Sequence, residues 1–141
     1  MTPQQFTQSN YVHFEQELWK NELDTIDQEN KAFLDLLTEL QREQLIKAKY
    51  QPKIVIFFEQ FQYFSYLTRR LKEGLGILEK EVSVSVENED MPDSKYYGYL
   101  VSLKEEKDGL EKKYQTFKTN FKSFVSNVID VTTKPEVGRL Y

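Results

Sequence analysis

Few residues in this chain have the type and spacing that chemistry demands. The single histidine, His13, has Asn10 three positions before it. It therefore fails to complete the Glu-x-x-His pattern by which di-iron carboxylate bundles hold metal. Sites built from several histidines fail for the same reason. Glu17 lies four residues after His13, a commonplace helical pairing. Cysteine is absent, which removes disulfides, thiolate metal sites and cysteine nucleophiles together. Glu15, Glu22 and Glu29, with Glu39 and Glu43, form carboxylate-rich faces. Acid–base work would need burial or a neighbour that shifts their pKa. They sit among Gln, Lys and Asn, so a solvated face is the simpler reading. No phosphate-cradling glycine loop, Gly-x-Ser-x-Gly elbow or kinase signature occurs. Gly74-Leu75-Gly76 lacks both a preceding strand and a third glycine. The expectation is a protein that is not an enzyme, with no metal and no cofactor.

Lys112, Lys113, Lys118 and Lys122 alternate with Tyr114, Phe117 and Phe121, which invites comparison with a nucleic-acid stripe. The rings fall on a helical seam and the lysines beside it, so core plus solubilising charge is favoured. A net charge of −4 also argues against a nucleic-acid partner. The longest apolar run is Ile54 to Phe58. A membrane helix needs about 20 apolar residues, so no membrane insertion is expected. The opening Met1 to Asn10 has neither the basic start nor the apolar centre of a secretion signal. With the missing cysteine, a cytoplasmic protein is expected.

The elements that must position these groups are long. Gly and Pro together number nine in 141 residues, while aromatics number twenty. On the first helix, expected from Ser9 or Asn10, apolar residues recur in steps of three and four: Val12, Trp19, Leu23, Ile26, Phe33, Leu37 and Leu40. Gln16 and Asn30 interrupt that seam. Lys47 and Lys49 suit its end, and Gln51-Pro52 closes it. The second helix, from about Pro52 into the low 80s, carries Ile54, Phe57, Phe61, Phe64, Leu67, Leu71, Leu75 and Leu78. A short buried strand competes at Ile54 to Phe58, and Gly74 and Gly76 predict a kink or early fraying nearby. Residues 82–86 alternate with period two and read as helix or extended. Residues 87–94 form an acidic turn. The third helix carries Tyr96, Leu100, Leu103, Lys107, Leu110, Tyr114, Phe117, Phe121, Phe124, Val128 and Val131.

These patterns predict an all-α fold, an elongated antiparallel three-helix bundle with coiled-coil-like seams. Residues 1–9 are expected to be a flexible N-terminal segment, 10–131 a single helical-bundle domain and 132–141 a C-terminal tail. Between residues 15 and 43 nine carboxylates face only three cations, while residues 110–122 hold four lysines against one glutamate. Opposite charge of that kind favours pairing of the first helix with the third. The layout, with its lone Trp19 on the first helix, resembles spectrin-type three-helix repeats in architecture, which implies a bundle and no particular activity.

Two features are candidates for function. Asn30 and Lys107 are polar at seam positions and, folding the chain about Gln51 and Asp90, would form one polar layer level with Lys72 and Glu73. Register-setting is its simplest role, a buried ligand site the alternative. The second helix is also apolar around much of its girth. Val55, Phe58, Tyr63 and Tyr66 point away from the seam and predict an interface for a protein partner or for self-association, unless Val137 to Tyr141 fold back over it. The leading expectation is a non-enzymatic interaction or scaffold protein that self-associates. The alternative is a carrier of a small apolar ligand, in a pocket where Ile54, Phe57, Phe58 and Phe61 meet Leu40, Leu45, Phe121 and Phe124.

Overall fold

The computed structural model describes residues 3–87 and 94–129. Val131, the turn residues 88–93 and the tail 132–141 lie outside the described residues, as do the side chains of Val12 and Tyr96. The chain is all-α: α1 spans Pro3–Arg42, α2 Gln51–Glu87 and α3 Ser94–Val128, with a 3-10 turn at Ala48–Tyr50. At 40, 37 and 35 residues they are rods of comparable length. Each is about 50 to 60 Å long at the standard helical rise.

Helix α1 begins at Pro3, ahead of the start expected at Ser9 or Asn10. Proline suits a first helical position, where its missing N–H costs nothing. The helix also ends early, at Arg42. The Gln44 N–H reaches the Gln41 carbonyl and the Leu45 N–H the Leu40 carbonyl, while Gln44 adopts φ 55°. This is the Schellman stop, with a left-handed residue just beyond the helix. Glycine normally marks that position. Here glutamine holds it, so nothing in the sequence announced the stop.

The second helix runs unbroken through Ile54–Phe58, through both glycines and through residues 82–86. Neither the competing strand nor the extended alternative is adopted. Among the described residues the only extended pairing is an isolated antiparallel bridge, Ile46 to Ile129. It fastens the connector after α1 to the end of α3.

Side-chain contacts fix the topology. Asn30 bonds to Phe61 and Ser65, and Gln41 to Gln51, so α1 and α2 are antiparallel. Phe57 meets Phe124, Phe64 meets Tyr114, and Gly74 abuts Leu103, so α2 and α3 are antiparallel too. Glu22 pairs with Lys107, Glu29 with Lys118, and Phe33 with Phe121, so α1 and α3 run parallel. The core contains the predicted seam residues from Trp19 to Leu40 on α1, Ile54 to Leu78 on α2 and Leu100 to Val128 on α3. Phe33, Phe57 and Leu67 are its half-buried margin. At one end Phe57, Phe61, Phe117, Phe121 and Phe124 interlock, with neighbouring ring centroids 4.8–6.4 Å apart. Three of these six contacts are edge-to-face, as the ring quadrupole favours.

Candidate functional site

Helix α2 sits between its neighbours and shows each a stripe at seven-residue spacing. Toward α1 it turns Phe58, Ser65, Lys72 and Glu79. Ser65 Oγ accepts from Asn30 Nδ2 at 2.9 Å. Lys72 Nζ lies 2.5 Å from Asp24 and 3.7 Å from Asp27. Glu79 comes beside His13 and Glu17. Toward α3 it turns Ile56, Tyr63 and Arg70, which border clefts shared with that helix. A seven-residue repeat keeps such a stripe in place over a supercoiled bundle.

Asn30 and Lys107 are both buried, at 2% and 6% exposure, but they do not share a layer. Asn30 Nδ2 donates to the Phe61 carbonyl and to Ser65 Oγ, both at 2.9 Å. Lys107 instead meets Glu22 of α1, with Glu111 at 3.2 Å and Asp108 at 3.5 Å. Its Nζ lies 5.7 Å from the centre of the Trp19 ring. The two residues are thus eight positions apart when projected on α1, about 12 Å at the helical rise. Lys72 occupies an intermediate level, against Asp24 and Asp27. Gln16, the other polar seam residue of α1, is 2% exposed. Neither its Nε2 nor its Oε1 has a hydrogen-bond partner.

Burial alone would lower the Lys107 pKa. Hydrogen bonds to Glu22 and Glu111, with their charges, outweigh it and hold the ammonium above the usual lysine range. Burial raises the Glu111 pKa, Lys107 opposes that shift, and the neighbouring Glu22 carboxylate reinforces it. A second α1–α3 link was not anticipated. Glu29 accepts from the Tyr114 hydroxyl at 3.0 Å and pairs with Lys118 at 2.8 Å. Burial, then Glu29, pushes the Tyr114 phenol far above the usual tyrosine range. Lys122 lies 5.9 Å from the Phe33 ring centre. The expected attraction between acidic α1 and basic α3 is therefore realised in named pairs. Only the parallel register, invisible in a single sequence, could have chosen Glu22 and Glu29 for it.

The four residues expected to form one flank of α2 occupy different sides. Val55 and Tyr66 are 56% and 57% exposed, and stand three helical turns apart on the outer face. Tyr63, 48% exposed, borders the α2–α3 cleft. Phe58 is half-buried and packs against the core, two turns before Ser65 on the side facing α1. Sequence reasoning missed Ile56 and Ile77, which are both more than half exposed. With them, α2 supplies five of the ten large exposed hydrophobic residues described, spread over its outer face and its α3 flank.

The clefts are shallow grooves between rods. One of ≈ 870 Å³ separates α1 from α3 and is edged by Glu22, Asp108, Glu111 and Lys112. Another, ≈ 510 Å³, lies at the aromatic-rich end between Tyr50, Ile56, Phe57, Phe124 and Val128. No described helix is long and apolar enough to cross a membrane. Comparison with protein-family models, with curated proteins and with solved structures finds no match.

Proposed function

We propose that this protein is a non-enzymatic helical-bundle interaction or scaffold protein of the cytoplasm, self-associating through the outer side of α2. The observation that carries this reading is the exposure of Val55, Ile56, Tyr63, Tyr66 and Ile77 along one rod. Large apolar side chains gathered in the open along one helix mark an interface, and tyrosine is enriched at such surfaces. Phe58 contributes only from the edge, because most of it already belongs to the core. Lys107, Lys118 and Lys122 engage α1, which supports a structural role for the α3 lysines rather than phosphate binding. Sedimentation equilibrium of the wild type and of Val55→Ser/Tyr66→Ser tests the reading. The wild type should associate and the variant should be monomeric with its helical content intact. A wild type that stays monomeric up to millimolar concentration would sink it.

A second reading, a carrier of a small apolar ligand, is favoured by the ≈ 510 Å³ cleft at the aromatic end. Against it, the five phenylalanines behind that cleft already fill the space between the rods. Titration with a fluorescent apolar probe separates the two. Tight one-to-one binding that Phe57→Ala abolishes would favour the carrier.

A further inference from the structure

We infer that His13 and Glu17 of α1, with Glu79 of α2, form a site for a divalent transition-metal ion of the zinc class. The ion would fasten the first half of α1 to the last half of α2. The stripe that α2 turns toward α1 is a ladder of matched partners. Its Ser65 rung matches an amide donor to a hydroxyl, and its Lys72 rung sets an ammonium against two carboxylates. The Glu79 rung breaks this complementarity. One carboxylate from each helix meets at the seam beside an imidazole, and all three donor atoms lie within 4.8 Å of one another. No Lys or Arg among the described residues is ion-paired with Glu17 or Glu79. Two facing negative charges at a helix seam repel unless a cation separates them, and a divalent ion supplies the matching charge.

The donor set fixes the class of ion. One nitrogen and two carboxylate oxygens suit zinc and its neighbours, whereas magnesium and calcium prefer oxygen alone. His13 and Glu17, four residues apart on one helix, present their donors on the same face. Zinc would draw these atoms to about 2.0–2.2 Å from itself, a contraction within reach of exposed or half-exposed rotamers. A fourth position would remain open to water. Gln16, in the same turn, has a buried amide with neither polar atom partnered, so the seam here is polar on its core side as well. The site escapes the patterns sought in the sequence because Glu79 joins it only through the packing of α2. It owes nothing to self-association.

Titration of chelator-treated full-length protein with zinc chloride, followed by calorimetry and by thermal melting, tests this. One ion per chain should bind saturably and raise the melting temperature. His13→Ala and Glu79→Gln should each weaken binding at least about tenfold, with unchanged far-ultraviolet circular dichroism. Without metal, Glu79→Gln should melt higher than the wild type, because it removes the facing charge. Magnesium and calcium should neither bind comparably nor compete. No saturable zinc uptake, or uptake unaffected by His13→Ala, overturns the site. Uptake lost in His13→Ala but retained in Glu79→Gln overturns the bridge between helices.

Discussion

Asn30 of α1 donates its side-chain amide to the backbone carbonyl of Phe61 on α2, 2.9 Å away. This bond, with its companion to Ser65, sets the register of the two rods near mid-bundle. It is an imperfect fit, because Asn30 Oδ1 is buried without a partner. Phe61 keeps its own helical hydrogen bond, and the Ser65 hydroxyl can turn back to that carbonyl. Asn30→Leu should therefore stabilise the bundle, by about 1 kcal/mol, through removal of a buried unsatisfied oxygen. Thermal denaturation of the single variant decides it, and a lower melting temperature would show that the bond contributes more than the stranded oxygen costs.

Lys107→Ala should destabilise. It would leave Glu22 and Glu111 facing each other across the α1–α3 seam with their shared cation gone. Both carboxylates are about one-third exposed, so the cost is closer to about 2 kcal/mol than to that of a fully buried pair. The Glu111 pKa is already raised, so its contribution to stability is favourable at low pH and fades as pH rises through that value. The deficit of the variant should consequently shrink between neutral pH and about pH 4, as Glu111 protonates. Urea denaturation at the two pH values measures it.

Tyr114 predicts behaviour in alkali. Burial first, then the Glu29 carboxylate, raises its pKa in the folded protein. A raised value means that its stabilising contribution is complete below the ordinary tyrosine range, about pH 10, and is lost above it. Absorbance at about 295 nm, where tyrosinate absorbs, should show one phenol that ionises only as the fold is lost. In Tyr114→Phe that step should vanish, at a cost of about 1 kcal/mol near neutrality for the missing hydrogen bond.

Two glycines of α2 should respond oppositely to alanine. A methyl group on Gly76 would meet nothing within 4 Å, whereas one on Gly74 would lie 3.0 Å from Leu103 Cδ2 and 3.2 Å from Tyr99 Oη. Gly76→Ala should gain about 1 kcal/mol from helix propensity alone. Gly74→Ala should gain less or lose stability, because α3 approaches too closely there. The difference between the two melting temperatures is the readout.

Gln44 is the converse. Its φ of 55° strains any residue with a β-carbon. Gln44→Gly should stabilise by about 1 kcal/mol, since glycine reaches that conformation freely. A loss would mean that the Gln44 side chain contributes something the backbone does not reveal.

The seams were legible because burial obeys periodicity. Trp19, Leu23 and Ile26, or Tyr114, Phe117 and Phe121, could be placed in the core from spacing alone. What failed was the alignment of one seam with the next. Folding about Gln51 set Asn30 opposite Lys72, whereas the Schellman stop at Gln44 moves the turning point toward Lys47 and sets Asn30 opposite Phe61 and Ser65. In a hairpin any error in the turning point is doubled in the partner, so four residues became eight. That displacement is what separates Asn30 from Lys107. The grouping of Phe58 with Tyr63 failed differently, because distance from the seam was legible but the identity of the flanking helix was not.

The paired stripes on α2 limit how this molecule can change in length. A single residue deleted near Arg69 would swing the remainder of α2 by about 100°. Lys72 and Glu79 would then leave α1 as Arg70 left the α3 side, uncoupling both neighbours at once. Removal of seven residues from α2 alone would keep the stripes in phase but leave α1 and α3 overhanging by two turns. Viable longer or shorter versions of this bundle should therefore differ by whole heptads taken from all three rods together, a rule that can be tried directly by making them.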